Sequence, residues 1–106
     1  MDAATADRLA ANEARFREVN DRLRGDVGEL VEPMERVPFV CECSRPDCRE
    51  TIELALPEYA GVRADALCFA LVPGHDVPEI EDVVQREERY VVVRKRQGRD
   101  VARSAR

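Results

Sequence analysis

Cys41, Cys43 and Cys48 fall within eight residues, in the run Phe39-Val-Cys-Glu-Cys-Ser-Arg-Pro-Asp-Cys48, and the chain's one histidine, His75, follows a Pro-Gly turn further on. Thiolates this close, on a loop carrying Pro46 and Asp47, can converge on one metal ion, and a further sulfur or imidazole completes a tetrahedral zinc shell. The pattern C-x-C-x4-C…H therefore predicts one zinc per chain on Cys41, Cys43, Cys48 and His75. Buried free cysteines also occur as plain core residues. Here, however, Glu, Ser, Arg, Pro and Asp are interspersed among the three, which does not look like core. Cys68 competes with His75 for the fourth place. It lies in Leu67-Cys-Phe-Ala-Leu-Val72, where a small buried thiol fits without any metal, whereas His75 sits in a turn from which its ring can swing to an ion. Four cysteines could instead hold an iron–sulfur cluster, but the mixed Cys3His set favours zinc.

A four-coordinate zinc is closed, and a catalytic zinc needs an open position for water. With only three protein ligands, Glu42 or Glu50 could serve as a base. The chain has no H-E-x-x-H, no H-x-E…P-C-x-x-C and no G-x-S-x-G. It has no phosphate-binding glycine loop, and a nucleophilic cysteine would need the one histidine as its partner. The expectation is a non-enzymatic, zinc-stabilised interaction or regulatory module. The alternatives are a thiol/zinc redox sensor, in which oxidation ejects the metal, and a zinc-dependent hydrolase.

These residues need a scaffold. Thr5 to about Arg24 reads as a helix, rich in alanine and free of Gly and Pro. Gly25 and Gly28 weaken its last turns and Pro33 ends it. Leu9, Phe16, Val19 and Leu23 make a narrow apolar stripe along it, interrupted by Asn12 and Asp26 as a coiled-coil seam. Such a stripe is a candidate partner-binding surface with Phe16 as its anchor, or else the face that packs on the protein's own sheet. Val37 to Cys43 is a strand entering the cysteine loop. Arg49 to Leu56 alternates, with Ile52, Leu54 and Leu56 on one face. Pro57 to Arg63 is a short helix, Ala66 to Val72 an apolar strand, Ile80 to Glu87 extended or briefly helical, and Tyr90 to Val93 a strand. The fold class is α+β: an N-terminal helix, then a small, mainly antiparallel β-sheet with one short helix, pinned by structural zinc. Residues 1–36 form the helical segment, 37–96 the zinc-stabilised domain, and 97–106 a basic, disordered tail.

A chain of 106 residues without Trp builds only a modest core and gains from a metal staple. No apolar h-region opens it and no run approaches the roughly 18 residues of a membrane span, so the expected setting is the reducing cytoplasm, without membrane contact. The net charge is −5, but residues 94–106 carry +5 and the remainder −10. The tail could touch nucleic-acid phosphates. The acidic body disfavours that, leaving a protein partner as the expectation and the chain itself a monomer or weak dimer.

The order F-x-C-E-C-x4-C at Phe39–Cys48, E-Y-x-x-V-R at Glu58–Arg63, V-x-P-G-H at Val72–His75, P-E-x-E-x-V-V at Pro78–Val84 and Y-x-V-V at Tyr90–Val93 resembles a family of small uncharacterised actinobacterial proteins. Asn12–Asn20 is similar as well. The resemblance implies metal ligands at Cys41, Cys43, Cys48 and His75, with Cys68 outside the pattern. It implies no particular activity.

Overall fold

The computed structural model describes residues 3–96, so the expected tail, 97–106, lies outside the described residues. Helix α1 spans Ala3–Val27. It runs through Gly25 and stops short of Gly28, where the glycine's backbone freedom begins to favour exit from the helix. Strands β1 (Arg36–Val40) and β2 (Thr51–Ala55) pair antiparallel, with Val37 opposite Leu54 and Phe39 opposite Ile52. These four alternate residues are buried, and their neighbours are exposed or half-buried except Ala55 at the end of β2, as a strand pair with one solvated face requires. Helix α2 (Leu56–Arg63) starts where Pro57 fits the first turn, and Glu58 Oε1 accepts the Ala55 N–H at 2.8 Å. Leu56, expected on the buried strand face, instead opens this helix and is half-buried. Strands β3 (Cys68–Leu71), β4 (Glu81–Arg86) and β5 (Val91–Lys95) form an antiparallel sheet with β5 in the middle. A bulge between Val83 and Gln85 leaves Val84 exposed.

The single sheet expected from the sequence is thus divided in two. After Val40 the chain leaves β2 and runs to β3, where one backbone bond, Glu42 N–H to Ala70 O at 2.9 Å, stands in for a ladder. Strand β3 is buried on both faces because each face has its own core. Cys68 and Ala70 face a larger cluster built around Phe39, Leu54 and Tyr59, whose Phe39 and Tyr59 rings stack at 4.4 Å. Phe69 and Leu71 face a smaller one with Cys41, Cys43, Val91 and Val93. The cysteine loop covers this second core.

Polar side chains hold α1 against the sheets. Asn20 donates to Val40 O and accepts from Val40 N–H, both at 2.8 Å, as a neighbouring strand would. Asp21 takes Arg63 through two bonds of 2.8 Å. The Arg17 guanidinium lies 3.8 Å from the Phe69 ring centre and donates to Cys68 O.

At the far edge, Glu13 and Glu81 are both buried. Glu13 Oε1 accepts from Lys95 Nζ at 3.2 Å and Glu81 Oε1 from Val77 N–H at 2.8 Å. Their remaining oxygens lack any other donor among the described residues, so the two carboxyls satisfy each other only if one keeps its proton. Burial, and then the Glu13 carboxyl, push the Glu81 pKa up to about 9. A carboxyl raised in the folded state adds stability that is full below its unfolded pKa and is lost as pH rises through about 9. Glu81→Gln supplies a donor that does not titrate. We expect it to flatten the alkaline loss of stability and to be more stable than the parent at about pH 9, by on the order of 1–3 kcal/mol. Parallel denaturation-midpoint curves for the two proteins between neutral and alkaline pH would contradict this.

Candidate metal centre

The C-x-C segment enters the loop in extended form. Successive side chains of extended backbone point to opposite sides. Cys41 and Cys43 therefore share one face while Glu42 takes the other. The loop then turns back, with Cys48 N–H on Arg45 O at 3.2 Å, and is closed at its base by Cys41 N–H on Glu50 O at 3.0 Å. His75 arrives on a tight turn, its N–H on Val72 O at 3.0 Å. Gly74 holds φ +91° there, the left-handed conformation required after a proline in a type II turn.

The three sulfurs and one ring nitrogen of His75 all lie within 4.8 Å of one another. His75 Nδ1 is 3.6 Å from Cys41 Sγ and 3.8 Å from Cys48 Sγ. A tetrahedral zinc with its usual bond lengths sets sulfur and nitrogen about 3.6 Å apart and two sulfurs about 3.8 Å apart. The two nitrogen–sulfur distances are close to the first of these values, and the whole cluster is compact enough to hold one metal ion. The other ring nitrogen, Nε2, lies 2.9 Å from Glu50 Oε2. Such a carboxylate fixes the tautomer and aims Nδ1 at a metal.

Each sulfur also receives a backbone N–H: Cys41 from Val72 at 3.2 Å, Cys43 from Arg45 and Cys48 from Glu50. A hydrogen bond from Cys41, helped by the Arg45 N–H and His75, brings the Cys43 thiol down to about 5 against the effect of its burial. The same bond to Cys43, followed by burial, pushes Cys41 up, and burial pushes Cys48 up. Without metal the cluster thus concentrates its negative charge on Cys43. A divalent ion would displace the protons of the other two thiols, so binding would release protons and weaken on acidification.

All four sequence-predicted ligands are brought together, with Cys41 and Cys43 buried and Cys48 and His75 half-buried. Cys68 stands apart from them, in the larger core and near Asp65. Glu42 faces away from the sulfurs and is consumed by other bonds, and Glu50 is engaged by His75. The apolar stripe on α1 divides. Leu23 packs on the larger core, Phe16 is half-buried, and Val19 is 45% exposed. The side chain of Leu9 lies outside the described residues. Sequence reasoning missed the part played by the helix's asparagines. Asn12, which reads as a break in an apolar seam, donates to Ser44 O at 3.0 Å, and Asn20 donates to Glu42 Oε2 at 2.9 Å. Two asparagines eight residues apart on one helix face were the available signal. Comparison with protein-family models, curated proteins and solved structures finds no match to this chain.

Proposed function

We propose that the chain is a non-enzymatic, zinc-stabilised interaction or regulatory module of the cytoplasm, with one zinc held by Cys41, Cys43, Cys48 and His75. The observation that supports this reading is the convergence of three sulfurs and one imidazole nitrogen within 4.8 Å of one another, the ring's other nitrogen being held by Glu50. Three thiolates and one imidazole are a common structural zinc set, and four protein ligands leave no place for a reacting water. The buried position of Cys41 and Cys43 weighs against a thiol sensor. The engagement of both Glu42 and Glu50 weighs against a hydrolase. The resemblance drawn on Phe39–Cys48 and Val72–His75 rests on these same four ligands.

The test is metal content and geometry. The purified chain should carry one zinc per molecule. Its Co2+ form should show the intense visible bands of a tetrahedral thiolate site, unchanged by Cys68→Ser and lost with His75→Ala. Octahedral-type, weakly absorbing Co2+, or a site that needs Cys68, would overturn the assignment.

A further inference from the structure

A cleft of about 360 Å³ opens between α1 and the cysteine loop, with Phe16, Val19, Val40 and Pro46 as its apolar lining and Arg15 and Arg49 at its rim. The Arg15 guanidinium donates to Asn12 Oδ1 at 2.8 Å and lies 6.0 Å from the Phe16 ring centre, and that of Arg49 donates to two carbonyls, Pro46 O and Cys48 O, each at 3.1 Å. Neither meets a carboxylate among the described residues, although acids outnumber bases in this chain by 22 to 17. Arg63, Arg89 and Arg96 each have a carboxylate partner. Glu50, the acid that borders the cleft, is held by His75. Arg22, two turns along α1 from Arg15, is exposed and has no carboxylate partner among the described residues. Two guanidinium forks without a carboxylate partner among the described residues, beside an apolar hollow, are complementary to carboxylates flanking an apolar side chain.

We infer that this cleft docks an acidic peptide segment of a partner protein, one that presents an aliphatic or aromatic side chain to Phe16, Val19 and Val40 and its carboxylates to Arg15 and Arg49. This rests on the reading of the chain as an interaction module and names its partner's chemistry. A nucleic acid fits less well. Phe16 is the one ring in the cleft, where strand binding uses successive stacking platforms. The loop wall, Pro46–Glu50, contains ligand Cys48, so the metal centre sets the shape of one side of the cleft.

The experiment uses the full chain, with its zinc content measured on the same sample. A short fluorescein-labelled peptide in which leucines alternate with pairs of glutamates is titrated by anisotropy, beside the same peptide with lysines for glutamates and a labelled oligothymidylate. Saturable binding of the acidic peptide alone is expected, weakening with salt. Arg15→Glu and Arg49→Glu should each weaken it about tenfold, and Val19→Asp, at an exposed position, should abolish it with the melting temperature unchanged. No binding of the acidic peptide to folded, zinc-loaded protein overturns the inference and leaves the zinc assignment standing. Binding to a zinc-free sample upholds the cleft and removes the zinc assignment. Equal binding by the arginine variants, preference for the oligothymidylate, or self-association lost on Arg15→Glu would each overturn the peptide inference.

Discussion

Cys43→Ser is expected to yield a chain that holds no zinc and shows no cooperative unfolding transition. Cys43 is fully buried, its sulfur lies against the other three ligands, and it is the thiol that most readily gives up its proton. A serine hydroxyl does not ionise near neutral pH and is a poor zinc ligand. Structural zinc supplies about 10–16 kcal/mol of apparent binding energy in small domains. Whole domains are stable by only about 5–15 kcal/mol. Loss of even part of the metal's contribution therefore exceeds the margin. The damage should begin in the smaller core, where Cys41 and Cys43 pack with Phe69, Leu71, Val91 and Val93 and a single aromatic ring has to organise the cluster. Chelation of the parent protein should produce the same state. Calorimetry and elemental analysis on the same preparation check the result. A metal-free variant that still melts cooperatively near the parental temperature would show that the apolar contacts suffice.

The Cys41, Cys43, Cys48 and His75 cluster was legible in the sequence because metal chemistry limits the choice of residue type and demands short spacing. The strand order was not, because it depends on contacts far apart in the chain. Ile52 and Leu54 alternate in the sequence as they do in β2, yet nothing local announces that β1 ends at Val40 and hands the chain to β3. The tight turn before His75 was marked by Pro73-Gly74. The role of α1 was only half legible. Its apolar stripe was visible, but which members serve the core was decided by where β1 and the loop lie. Leu23 meets the core while Val19 is left at the cleft. Polar residues misled most. Glu42, between two ligands, reads as a candidate base, whereas the period-2 alternation of extended backbone places it opposite them.

That misplaced glutamate carries the second large effect. Glu42 is fully buried and joins three elements through one carboxylate. Its Oε1 accepts from Ala70 N–H in β3 at 3.0 Å, and its Oε2 accepts from Asn20 Nδ2 in α1 at 2.9 Å and from the Tyr59 hydroxyl in α2. Its own N–H bonds Ala70 O, extending the end of β1. Burial pushes its pKa up, while the bonds from Tyr59, Asn20 and Ala70 and the charge of Arg17 act the other way. Glu42→Leu would leave the Ala70 N–H and the Tyr59 hydroxyl without their acceptor, remove one of the two acceptors of the Asn20 amide, and take away the countercharge to half-buried Arg17. Removing one member of a buried charged network costs about 3–5 kcal/mol, because the others stay buried and unpaired. Glu42→Gln keeps an acceptor for Ala70 N–H and offers the Tyr59 oxygen a donor, but sets its amide against that of Asn20, so about 1–2 kcal/mol is expected. Denaturant unfolding of the zinc-loaded proteins should therefore rank parent, Gln and Leu in that order. Glu42→Gln should retain one zinc per chain, since the carboxylate faces away from the sulfurs. Equal stability of Glu42→Leu and parent would show that the network is not a joint of the fold. Loss of zinc from Glu42→Gln at unchanged stability would show instead that Glu42 serves the metal.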